Sequence, residues 1–146
     1  MNSLFYERND MVSEFSYQTG DGFSVERYIS ADDVKRFADV VGDLNPIHLD
    51  AEFAEASFFK KRIVHGAFLA GLISKILGMD FPGPGTVYIS QNSAFKRPVY
   101  VDATVKVDVK VTEVMAEKRR LILDTIVLND KDEVCLSGSA TVWIPE

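Results

Sequence analysis

The stretch Gly66-Ala67-Phe68-Leu69-Ala70-Gly71-Leu72-Ile73-Ser74-Lys75-Ile76-Leu77-Gly78-Met79 decides how this chain folds. Only Ser74 and Lys75 interrupt its apolar run. A helix that is apolar all round has no face to give to water, so it is expected to be buried. Phe81-Pro82-Gly83-Pro84-Gly85 then ends it. Everything downstream reads as strand. Val87 to Phe95 carries β-favouring residues and stops before Arg97-Pro98. From Val101 to Thr112, valines and an alanine alternate strictly with polar residues, the signature of an antiparallel strand with one wet face. Arg119 to Leu128 and Val134 to Ile144 repeat the theme, separated by a turn over Asn129 to Asp132. One buried helix followed by four long strands packs most economically as an α+β domain, with an antiparallel sheet wrapped around the helix. The edges of that sheet would be open to a second copy, so a homodimer with a continuous sheet is expected.

Upstream of the helix, Phe23 to Ile29 alternates as a first strand. Ser30 has the character of an N-cap, with Asp32 and Asp33 in the first turn. Val34, Phe37, Ala38 and Val41 give the helix that follows an apolar stripe ending at Gly42. Pro46 places Asp43 to His48 on a loop, and Asp50 caps a short helix bearing Phe53, Ala54 and Ser57. Residues 1–20 show no periodicity and are expected to form a loosely held arm on a single domain spanning 1–146.

The totals narrow the function. The net charge is -6, from 16 basic and 22 acidic side chains, which argues against nucleic-acid binding through a basic face. The single cysteine, Cys135, rules out an internal disulfide and a thiolate-rich zinc site, and two histidines leave little for a metal centre. The first residues lack the apolar core of a secretory signal, and the run from Ala67 to Ile73 is too short to span a bilayer. A soluble cytoplasmic protein without membrane or nucleic-acid partners is expected, and no redox or metal cofactor is implied.

Chemistry concentrates in two places. In Gly42-Asp43-Leu44-Asn45-Pro46-Ile47-His48, a carboxylate, an amide and an imidazole sit close together, stiffened by a proline. Such a set can move protons, although Asp-x-Asn-Pro is by itself most often an ordinary turn. The second place is His65-Gly66, at the start of the buried helix. There the Gly66 N–H has no intrahelical partner and can bind a developing oxyanion. Together they point to addition of water to, or its removal from, an activated carbonyl compound. His65 reads as a residue that fixes a loop. The basic residues Lys60-Lys61-Arg62 and Lys96-Arg97 suit phosphate contacts, or a solvated loop.

These motifs resemble the MaoC-like hot-dog proteins, specifically the single-domain (R)-specific enoyl-CoA hydratases. The family pattern Gly-Asp-x-Asn-Pro-x-His is matched at Gly42, Asp43, Asn45, Pro46 and His48. Its His-Gly pair is matched at His65-Gly66, and its Phe-x-Arg-Pro-Val element at Phe95-Lys96-Arg97-Pro98-Val99. The resemblance covers roughly residues 22 to 144. After Pro98 the family usually carries a Gly-Asp turn, and this chain has Asp102-Ala103. The resemblance implies a hot-dog fold and hydration of trans-2-enoyl-CoA to (R)-3-hydroxyacyl-CoA, reversible as dehydration. It implies that Asp43 and His48 hold one catalytic water, that Asn45 orients the water or a side chain, and that the Gly66 N–H binds the enolate oxygen. Lys60, Lys61, Arg62, Lys96 and Arg97 would then meet CoA phosphates. A dehydratase acting on acyl carrier protein, a thioesterase on the same fold and a non-catalytic acyl-CoA-binding module are the competing functions.

Overall fold

The structure is a computed structural model that describes residues 15–146. Most of the arm expected over residues 1–20 lies outside the described residues. In its last part, Phe15 and Tyr17 pack on the core, and the Gly20 N–H donates to the Val111 carbonyl at 2.8 Å.

Strand β1 (Gly22–Ile29) leads into helix α1 (Ala31–Val41). Ser30 caps that helix in a reciprocal box: the Asp33 N–H donates to Ser30 Oγ at 3.0 Å and the Ser30 N–H to Asp33 Oδ2 at 3.1 Å. The helix ends at Gly42, whose φ of 81° lies in the left-handed region that a Cβ disfavours. Val34 and Ala38 are buried, whereas Val41 is 55% exposed, because the last turn of α1 runs clear of the core. The segment expected as a loop contains a short helical turn, α2 (Pro46–Leu49), with Asn45 at its N-cap and Pro46 in its first turn. Pro46 starts this helix instead of breaking one, the position at which its missing N–H costs nothing. Asp50 caps α3 (Ala51–Ala56) as expected.

The decisive stretch forms α4 (Gly66–Lys75), which continues as a wider π-helical turn over Ile76–Asp80. Phe68, Leu69, Ile73, Ile76 and Leu77 are buried against the sheet. The opposite strip, Ala67, Gly71, Ser74 and Lys75, is exposed in the single chain. The expectation of burial on all sides is therefore met on one face only. Ser74 and Lys75 mark this side in the sequence, whereas Ala67 and Gly71 count as apolar there and do not reveal that they lie on the outside.

Strands β2 (Val87–Phe95), β3 (Ala103–Met115), β4 (Arg120–Leu128) and β5 (Val134–Trp143) complete one antiparallel sheet in the order β1-β3-β4-β5-β2. Val105, Val107, Val109 and Val111 point into the core, opposite Leu121, Leu123, Thr125 and Val127 of β4 through pairs such as Val107 with Val127. Strand β3 runs past Thr112, where its alternation seemed to end, because a bulge between Val111 and Glu113 shifts the phase and returns Val114 to the inner side. The Asp102-Ala103 departure is accommodated by Asp102 at φ 62°, with its Oδ1 accepting from Tyr28 Oη and the Ala31 N–H. Among the described residues, no helix is long and apolar enough to cross a membrane.

The sheet closes most tightly at Gly138. A Cβ there would lie 1.7 Å from the Asn92 carbonyl oxygen and 3.0 Å from Ser93 Cα, both main-chain atoms that cannot turn aside. Gly138→Ala is expected to destabilise the fold by at least about 1–3 kcal/mol, the usual range for overpacking. The midpoint of chemical denaturation measures it.

Candidate active site

Asp43, His48 and His65 converge from three elements. Asp43 follows the end of α1, His48 lies on α2, and His65 occupies the N-cap of α4. Each offers a ligand atom, and these atoms all lie within 4.8 Å of one another. Asp43 is exposed, while His48 and His65 are only 8% and 2% exposed. The two imidazoles stack, with centroids 3.7 Å apart and planes at 26°.

Hydrogen bonds fix the protons. A carbonyl only accepts, so the 2.6 Å contact of His48 Nδ1 with the Ile63 carbonyl places a proton on Nδ1. Neutral His48 then presents a bare Nε2 lone pair. Likewise His65 Nε2 donates to the Asp43 carbonyl at 3.1 Å. Asp43 Oδ1 accepts from the Asn45 N–H at 3.2 Å, and Asn45 Oδ1 accepts from the Ile47 N–H at 3.2 Å. The oxygen of Asn45 thus caps α2, and its amide nitrogen is a donor that this bond does not use. A metal ion lies near the plane of every imidazole that binds it at ~2.0–2.1 Å. Two rings stacked this closely would leave an ion well out of at least one plane, so the trio is poorly arranged to hold a metal.

Burial holds His48 below the ordinary histidine range, opposed by the bond to the Ile63 carbonyl, reinforced by His65 and opposed again by Asp43. The folded state therefore binds this proton less readily than the unfolded chain, whose histidine titrates near ~6.5. The stability linked to His48 is fully present above that pH and is lost as pH falls through the lowered folded value. Replacing His48 with Gln is expected to flatten the loss of unfolding free energy as pH falls below about 6.5. Urea titrations at several pH values measure it.

Gly66 opens α4 as its first residue. A cleft of about 450 Å³ runs past it, walled by Phe59, Leu69, Phe95, Lys96, Arg97 and Pro98 among others. The residues fall into three sets. Lys96 and Arg97 share the Gly66 cleft, although Arg97 Nε also pairs with Glu133 at 3.1 Å. Lys60, Lys61 and Arg62 instead border a separate depression beside Glu55 and Val101. Asp43 and His48 do not line the Gly66 cleft; His48 stacks on His65, the neighbour of Gly66 in the chain.

Two participants are not evident from motifs alone. Phe37 packs on His65 at 5.0 Å and on Phe68 at 5.3 Å, so a residue of the α1 stripe also buttresses the site. Phe95 presses on Gly66: a Cβ there would lie 2.7 Å from Phe95 Cε1. The matched Phe-x-Arg-Pro-Val element held the only signal for that contact.

The family model described as "MaoC like domain" matches residues 14–133. The chain belongs to the MaoC-like family. Among curated relatives, this MaoC-like chain is similar to a 3-hydroxybutyryl-CoA dehydratase of Methylorubrum extorquens, at 46% identity over 84% of this chain and 77% of the relative. It is also similar to an (R)-specific enoyl-CoA hydratase of Rhodospirillum rubrum, at 38% identity over 86% of this chain and 87% of the relative. Among solved structures, the (R)-hydratase of A. caviae superposes with a TM-score of 0.87 at 35% identity, covering 90% of this chain and all of that one. This MaoC-like chain therefore has the hot-dog fold, with an antiparallel five-stranded sheet packed on its helix.

Proposed function

We propose that this MaoC-like protein hydrates trans-2-enoyl-CoA to (R)-3-hydroxyacyl-CoA and runs the reverse dehydration. The observation that carries the reading is the convergence of His48, its tautomer fixed by the Ile63 carbonyl, with Asp43, a ring nitrogen and a carboxylate oxygen lying within 4.8 Å of each other. A water bonded to two groups at ~2.8 Å spans about 4.6 Å between them, which suits groups within 4.8 Å. That water loses a proton toward the Asp43–His48 pair as its oxygen attacks C3. The Gly66 N–H stabilises the enolate oxygen that develops on the thioester. The pair then returns a proton to C2, so one water is added and nothing else is consumed. Asn45 orients the water or one of the two carriers. Lys96 and Arg97, flanking the Gly66 cleft, and Lys60, Lys61 and Arg62 beyond it, supply positive charge for the CoA phosphates. The hydratase and dehydratase relatives support the substrate class and the enzyme class.

The reading includes one domain over residues 1–146 working as a cytoplasmic homodimer. Strand β2 supports this: among the described residues it pairs only with β5 and leaves its other edge open, and it exposes Val87, Tyr88 and Ile89 by 37–42%. Ile89→Lys is expected to shift the sedimenting species from dimer to monomer.

Loss of the enoyl-thioester absorbance of crotonyl-CoA, with the product coupled to a stereospecific dehydrogenase, tests the activity. Rapid loss giving the (R) alcohol is expected. No hydration of short, medium or long enoyl-CoA would overturn it. Parallel rates on carrier-protein thioesters separate the CoA enzyme from a carrier-protein dehydratase. Tight acyl-CoA binding without turnover would mark a binding module.

A further inference from the structure

His65 breaks a local rule. It stands at the N-cap of α4, where Ser, Thr, Asp or Asn would satisfy a first-turn N–H, and its side chain makes no capping bond. It is a polar side chain only 2% exposed. Its ring is turned away from its own helix, toward the two groups proposed to carry protons. Nε2–H donates to the Asp43 carbonyl at 3.1 Å, and one ring face lies 3.7 Å from His48. On another side it rests on Phe37 at 5.0 Å. Its Nδ1 finds no protein partner among the described residues. A residue whose only task was to start α4 or fill space would not hold this orientation. Local conflicts of this sort are expected where a site demands them.

We propose that His65 is a positioning residue for the Asp43–His48 pair. The donor fixes the main chain at Asp43, and the ring face fixes the His48 imidazole. The two carriers come from different elements, α2 and the turn after α1, and no hydrogen bond joins them directly among the described residues. His65, from a third element, is the piece that touches both. This inference rests on the proposed catalytic roles of Asp43 and His48.

Three variants divide the work. His65→Phe keeps a ring face and loses the donor. His65→Gln keeps a donor near Nε2 and loses the face. His65→Ala loses both. The expected result is a fall in kcat for crotonyl-CoA of about 10-fold for Phe and Gln and about 100-fold for Ala, with KM within about twofold, because misplacement by about 1 Å costs up to about 10²-fold. On an Asp43→Asn background the effect of His65→Ala is expected to shrink to less than about threefold, since a positioning residue acts only through the groups it positions. Unchanged kcat in His65→Ala, or an equal fall on both backgrounds at equal folded fraction, would overturn the proposal.

A second measurement needs no activity. The ¹⁵N signals of the wild-type rings at pH 8 are expected to show His48 with its proton on Nδ1 and His65 with its proton on Nε2. In His65→Ala the His48 signals should average between the two tautomers. A proton on Nδ1 of His65, or an unaltered single tautomer of His48 in the variant, also refutes the positioning role. If the wild type proves inactive on every enoyl thioester, the hydratase reading fails, and the ring signals still decide whether His65 holds His48.

Discussion

Asp43→Asn and His48→Asn are each expected to lower kcat for crotonyl-CoA hydration by about 10²–10⁴, the usual worth of a positioned proton carrier. Both exchanges are chosen so that structure survives. Asn at 43 keeps an oxygen to accept from the Asn45 N–H, the 3.2 Å bond that shapes the turn, and Asp43 is exposed, so a neutral replacement costs little. Asn at 48 keeps a nitrogen near the Nδ1 position, able to donate to the Ile63 carbonyl that His48 holds at 2.6 Å. What each exchange removes is the group proposed to act on the water. The double variant is expected to be little worse than the weaker single one, because two groups acting on one water do not contribute independently. Full additivity would mean that Asp43 and His48 act in separate steps. Retained activity in either single variant would remove that residue from the proton path. Steady-state kinetics with unfolding midpoints alongside decide it.

Much of this was legible in the chain because the relevant signals are periodic or local. The alternation from Val101 to Val111 placed β3, the box from Ser30 to Asp33 placed the start of α1, and the apolar run from Gly66 placed the helix beneath the sheet. What sequence hid follows from geometry that no period encodes. The bulge after Val111 ended the apparent alternation three residues before the strand itself ends at Met115. Ala67 and Gly71 count as apolar in a sequence and yet lie on the open side of α4. At the candidate site, ordered motifs singled out Asp43, His48 and Gly66 as candidates, but the meeting of His48 with His65 depends on the route of the chain between Leu49 and Val64. That route is set by the Ile63 contacts, a 3.2 Å bond from its N–H to the Ile47 carbonyl and the carbonyl that receives His48. Spacing along the chain does not specify a ring stack. For the same reason the basic residues read as one phosphate-binding set divide in space, with Lys96 and Arg97 on the Gly66 cleft and Lys60 to Arg62 elsewhere.

Gly66→Pro should abolish the proposed oxyanion donor while leaving α4 in place. Proline is well tolerated at the first position of a helix, where its missing N–H has no intrahelical acceptor. His65, just before it, has φ -57° and ψ 137°, the extended region that a following proline prefers. The complication is space: any Cβ at 66 meets the Phe95 ring at 2.7–3.1 Å. Gly66→Ala meets the same ring and keeps its N–H, so it isolates the steric part. Both variants are expected to lose stability to a similar extent. Relative to Ala, Pro should lose a further factor of about 10²–10³ in kcat, the usual cost of one oxyanion donor. Opening the space with Phe95→Ala sharpens the comparison. On that background Gly66→Ala should recover much of its rate, because its N–H is intact and its Cβ has room. Gly66→Pro should not recover, since no repacking restores a missing donor. Equal rates for the Ala and Pro variants on the opened background would show that the glycine is required only by the pressure of Phe95, and that the enolate oxygen is held elsewhere.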